Sequence, residues 1–151
     1  MKELVLRKLE KPVDRGGEDD IQWLCRSFGI WGGPGKNRTT TDIFQLVLER
    51  SSKGSGLTTL EITERMGLSR VSAIKHLTKL MDAGLVVRDK TEYRLRSLNL
   101  KRTVREITKD LIRTLKDMDS VIDDIDAEMG FTISNRRPAS VVPGDVNEDI
   151  R

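Results

Sequence analysis

Ser69, Arg70, Ser72, Lys75, Thr78 and Lys79 gather hydroxyls and cations within eleven residues, at intervals that place them along the outer side of a helix. Such groups perform no covalent chemistry on their own. They donate hydrogen bonds and neutralise charge, which is how a protein grips a polyanion and reads the donors and acceptors it displays. Four further cations follow in a short alternating segment: Arg88, Lys90, Arg94 and Arg96. From Ser69 to Arg96 there are seven Lys and Arg against three Asp and Glu, whereas residues 117–128 hold six carboxylates and no cation. The net charge of +3 therefore hides a chain that is basic in its middle and acidic further on.

Most other chemistry is excluded by what is missing. One cysteine, Cys25, forms no internal disulfide, and with a single histidine, His76, no soft-ligand metal cluster assembles within one chain. A nucleophile–base pair or a paired-carboxylate cleft has no raw material either: Asp123, Asp124 and Asp126 fall on a helix exterior without a base. The stretch GGPGKNRTTT, residues 32–41, invites comparison with a phosphate-binding loop. That pattern needs Gly where Ile30 stands and Ser or Thr where Asn37 stands. No enzyme and no cofactor are expected. Cys25 has only Arg26 beside it to lower a thiol pKa, so a redox role is not favoured. The first residues, MKELVLRKLEKP, mix charge with Leu and Val too finely for a secretory h-region, and no apolar run reaches the roughly 18 residues of a membrane span. A cytoplasmic chain that avoids membranes is the expectation.

At 151 residues, 36% hydrophobic, 34% charged and 4% aromatic, the chain suits one core with accessory elements and leans towards helix. Ile21, Leu24, Cys25 and Phe28 recur at helical spacing behind an acidic turn, with Trp23 and Trp31 alongside as packing or interface residues. Beyond the loop, Ile43, Phe44, Leu46, Val47 and Leu48 spread over a wide apolar surface, so this helix should be buried on most sides. Thr58 and Glu61 form a capping box for a helix whose Leu60, Ile62 and Met66 point inward, and which stops at Gly67. Ser69 then caps a second helix at once, and two short helices this close must cross steeply. Ala73, Leu77 and Leu80 mark its inner face, widened by Ile74 and Met81. After Gly84 the alternation predicts a two-stranded hairpin over 85–96, with Leu85, Val87, Tyr93 and Leu95 buried and Arg88, Arg94 and Arg96 wet. Asn99 caps a last helix of about thirty residues, roughly 45 Å long. Its seam of Leu100, Val104, Ile107, Leu111, Thr114, Met118, Val121 and Ile125, with Leu115, Ile122 and Met129 adjacent, implies a partner helix.

Helix, sharp turn, second helix with a basic outer face, hairpin: this order is that of a winged helix-turn-helix, in a mainly α (α+β) fold with a long C-terminal dimerisation helix. A helix about 10 Å across fits the major groove, where base edges differ in donors, acceptors and methyl groups. The segment LTTLEITERMGLSRVSAIKHLTKLMDAGLVVRDKTEYRLRS resembles the core of ArsR-type and MarR-type transcriptional regulators, above all at Ser69, His76, Leu77, Leu80, Ala83, Gly84, Leu85 and Val86. With the preceding helix the likeness covers residues 41–96. It implies a homodimer on a pseudo-palindromic double-stranded operator, joined through Leu100, Val104, Ile107, Leu111, Leu115, Met118, Val121, Ile122 and Ile125. The Cys and His clusters of that family's metal sensors are missing here, so metal sensing does not carry over.

These readings divide the chain into an N-terminal helical extension and loop (1–40), a DNA-binding domain (41–97), a dimerisation helix (98–130) and a flexible tail (131–151). On the leading reading helix 69–82 enters the major groove and hairpin 85–96 is the wing. Arg70, Ser72 and Lys75 reach bases, Thr78 and Lys79 lie nearer the backbone, and Arg88, Lys90, Arg94 and Arg96 meet phosphates. The competing reading is a winged helix used to dock an acidic protein in transcription or chromosome machinery. His76, next to Leu77, reads as a partly buried structural residue before it reads as a switch.

Overall fold

The structure, a computed structural model, describes residues 1–11, 13, 17–30 and 38–131. Trp31, most of the Gly-rich loop and the tail from residue 132 lie outside the described residues, as do the expectations placed on them. Helices α1 (Gly17–Ser27) and α2 (Thr39–Ser52) lead into strand β1 (Leu57–Thr58) and helices α3 (Thr59–Met66) and α4 (Arg70–Asp82); strands β2 (Val86–Asp89) and β3 (Glu92–Leu95) then precede helix α5 (Leu100–Met129). The fold is mainly helical with one small antiparallel sheet, ordered β1-β3-β2. Contacts group the chain into two units, one spanning Met1–Arg113 and one beginning at Thr114.

In the first unit, α2 is the central support. Ile43, Phe44 and Val47 are fully buried, and the helix starts at Thr39, with Thr39, Thr40 and Thr41 buried where the sequence suggested loop. Ile62 of α3, Ala73, Leu77 and Leu80 of α4, and Leu57, Leu85, Val86, Tyr93 and Leu95 of the sheet region close the core around it. Burying each large side chain contributes about 1.5–3 kcal/mol. The N-terminal extension shares this core through Cys25, Phe28 and Ile30.

Both ends of α4 are fixed by local chemistry. At Gly67 the chain turns left-handed (φ 64°), its N–H bonding the Thr63 carbonyl at 2.9 Å, and Ser69 Oγ accepts the Ser72 N–H at 3.1 Å. At the far end Gly84 (φ 80°) is packed so closely by Ile107 and Arg96 that a side chain there would crowd both. The N–H groups of Lys2 and Glu3 donate to the Asp82 carbonyl at 2.9 and 3.1 Å, so the first residues of the chain seal the C-terminus of α4.

Several expectations need correction. Leu60 is 65% exposed and Ile74 is also exposed, because Ile62 and the Ala73–Leu77–Leu80 row fill the available inner surface. In the hairpin Val86, not Val87, is buried; Val86 pairs with Leu95 and Arg88 with Tyr93, so those four share the core-side face. The two-residue strand β1 was not legible as a strand, since its Thr58 reads as a helix cap, which it also is. In α5 the first turns belong to the chain's own core: Ile107 is 3% exposed, and Leu100 and Val104 pack beside it. Ile107 is therefore not free to form a dimer interface, and Leu100 and Val104 give part of their surface to the core. From Ile112 to Met129 every residue is exposed.

Ile107→Ala should lower the unfolding free energy by about 2–5 kcal/mol, read from a urea titration. Lys90, in the two-residue hairpin loop, has φ 56°. Lys90→Gly should therefore raise the urea midpoint, by about 1 kcal/mol in stability, because glycine adopts that conformation without a Cβ clash.

Candidate nucleic-acid interface

Ala73, Leu77 and Leu80 commit one side of α4 to the core, and the 100° step between residues sets what the opposite side carries. Val71, Lys75 and Thr78, at i, i+4 and i+7, make its outermost ridge, and all three are exposed. Arg70 lies on one flank of that ridge, and Lys79 and half-buried Ser72 on the other. The Thr78 hydroxyl donates to the Ile74 carbonyl at 2.8 Å, which turns its lone pairs outward as an acceptor. The N–H groups of Lys2 and Glu3 meet α4 at Asp82, its last residue, and Arg70 and Lys75 in its first turns are exposed.

The flank bearing Arg70 continues into the hairpin. Arg70 and Arg88 line one groove of about 410 Å³ with Thr58, Thr59, Leu60, Thr63 and Thr91. Arg88 is held in place: its Nε donates to the Lys90 carbonyl at 2.9 Å, and its guanidinium lies 5.8 Å from the centre of the Tyr93 ring. A guanidinium already positioned in this way loses less side-chain entropy when it meets an anion. Lys90 is exposed at the hairpin tip. Lys79 instead lines a separate cleft with Glu3, Val5 and Asp82, where carboxylates share its surroundings.

The other two hairpin cations do not join the groove. Arg94 sits on the opposite hairpin face, opposite Val87, and forms an ion pair with Asp89. Arg96 was expected to be wet, yet Nη1 lies 2.8 Å from Asp110 Oδ2, with the two side chains only 22% and 21% exposed. The contact is ionic, not a well-aimed hydrogen bond: Nη1 is buried and its N–H misses a partner, but opposite charges at this distance still define the pair. The Arg96 guanidinium holds the Asp110 carboxyl below its usual range, which fits a structural tie between the sheet and α5.

Val71, 80% exposed, and Leu60 were not among the residues expected at this surface. Val71 was legible in principle, since it interrupts the Ala73–Leu77–Leu80 period and adds no core contact. Thr63 and Thr91 join the groove only through tertiary packing, for which the sequence carries no signal.

His76 lies on the side of α4 facing α2, with Nδ1 2.7 Å from Thr40 Oγ1. Burial, then the nearby Lys79 and Lys75, lower its pKa below the ordinary 6.5. Cys25 is sealed in the core, and burial outweighs a hydrogen bond from Thr41 to push its thiol up to about 11. Among the described residues no cluster of three His, Cys, Asp or Glu is placed to hold a metal ion. No helix of the described residues is long and apolar enough to cross a membrane. Compared with family models, curated proteins and solved structures, the chain matches none.

The sign of the His76 effect follows from linkage. Its folded pKa is depressed, so the unfolded chain takes up the proton first, and the stability this residue contributes is present above pH 6.5 and lost as pH falls below it. Urea midpoints measured from pH 7.5 to 5.5 should decline, and His76→Gln should flatten that decline.

Proposed function

We propose that this chain is a sequence-specific DNA-binding transcriptional regulator that acts as a homodimer. On this reading α3, the Gly67 turn and α4 form a helix-turn-helix, β2 and β3 form the wing, and α4 enters the major groove. One observation carries it: the open ridge of α4 presents Lys75 and Val71, while Arg70 on its flank shares a groove with Arg88 from the hairpin. Lys75 and Arg70 suit guanine O6 and N7, a valine suits the thymine methyl, and Arg88 and Lys90 suit phosphates. The likeness of residues 41–96 to ArsR-type and MarR-type regulators supports the same reading, and the exposed apolar stripe of α5 supports a second copy. Arg94 and Arg96 drop out as principal contacts because Asp89 and Asp110 engage them.

A second reading, docking of an acidic protein, draws support from Leu60 and Val71, whose exposed apolar surface borders Arg70 and Arg88. Fluorescence anisotropy on operator and random duplexes across a salt series separates the two. Under the DNA reading affinity falls steeply with salt, since each neutralised phosphate releases counterions. Arg70→Ala should cost about 1–3 kcal/mol on the operator, a 5- to 150-fold loss, and relax base preference. Arg88→Ala should weaken all duplexes alike, and Arg94→Ala should change affinity less than about twofold, as for an exposed, already paired cation. Salt-independent or undetectable DNA binding would end the regulator reading.

A further inference from the structure

We propose that the exposed half of α5 is covered by the same half of a second copy running antiparallel, with the two helices crossing near Ser120. This rests on the homodimer reading above and specifies its geometry. Beyond buried Ile107 and the partly buried Leu100 and Val104, an apolar stripe runs through half-buried Leu111 to exposed Leu115, Met118, Ile122, Ile125 and Met129, at steps of four and three residues. That is the spacing of a two-helix seam, with Ile112 and Val121 flanking it. Because Ile107 is buried and Leu100 and Val104 give part of their surface to the core, the continuous seam offered to a partner runs from Leu111 to Met129, about 28 Å at the helical rise.

Charge selects the occupant and its direction. Residues 101–116 carry six cations and two carboxylates; residues 117–128 carry six carboxylates and no cation. Among the described residues none of those six carboxylates is ion-paired within its own chain, and all are exposed. A parallel partner would set the six carboxylates of each copy side by side along about 18 Å of helix, where like charges repel. Reversing the partner about Ser120 sets residue n beside residue 240 − n. Leu115 then packs on the partner's Ile125 and Met118 on the partner's Ile122. Lys116 comes beside the partner's Asp124, Asp126 and Glu128 come beside the partner's Thr114 and Ile112, and of the six carboxylates only Asp117 and Asp123 still meet each other across the pair. A helix that is basic at one end and acidic at the other complements a reversed copy of itself, as charges flanking a seam set orientation.

Cysteine cross-linking in the full chain tests this without DNA, so its outcome is separable from that of the binding assay. Cys25 does not interfere, being 0% exposed with its thiol pushed up to about 11. Leu115→Cys and Ile125→Cys chains, denatured and refolded together, should give under oxidation at least ten times more cross-linked dimer than either variant alone. Charge reversal supplies a second readout by sedimentation: Lys116→Glu should weaken dimerisation at least tenfold, and adding Asp124→Lys should restore it. Self-cross-linking of each single variant with no gain on mixing would mean a parallel pair and overturn the proposal. A wild-type chain that dimerises without any cross-link and without response to Lys116→Glu would place the interface elsewhere, and one that sediments as a monomer would leave no second copy; either outcome overturns it.

Discussion

Everything at the candidate interface depends on α4 being held at both ends while only one of its sides is used for packing. Gly67 and Ser69 fix where it begins, and Gly84 with the backbone of Lys2 and Glu3 fixes where it stops. Ala73, Leu77 and Leu80 then set its rotation about its own axis. A thirteen-residue helix would be marginal in isolation. Anchored in this way, it presents its outer ridge in one orientation, and the side chains there need no rearrangement of backbone to act together.

The hairpin shows how strongly strand register decides which cations share the groove beside α4. Arg88 and Arg94 are both arginines in an alternating segment, and both look equally available in the sequence. Pairing Arg88 with Tyr93 and Arg94 with Val87 sends them to opposite faces, since neighbouring positions along a strand point opposite ways. One reaches the groove beside α4, and the other is answered by Asp89 on the far side. Arg96 has its charge satisfied by Asp110 and ties the end of β3 to α5.

Much of this architecture could be read before any coordinates. The Thr58–Glu61 box, the Gly67 stop, the Ser69 cap and the Asn99 cap are local devices that act over three or four residues, and each is found where the sequence places it. What could not be read depends on distant pairing. Strand β1 pairs with β3, the buried threonines at 39–41 meet His76 of α4 and Cys25 of α1, and Ile107 has the spacing of a dimer seam yet faces its own core. Periodicity says that a side of a helix is apolar; it does not say whose surface will cover it.

The sealed sulfhydryl at Cys25 has a consequence for following the molecule's motions. With the proton retained up to about pH 11, the ionised form amounts to roughly one part in ten thousand at neutral pH, and even that fraction is shielded from solvent. Alkylating reagents can reach this sulfur only when α1 lifts from α2, so the rate of its modification in native buffer is a direct gauge of how often that corner of the fold opens.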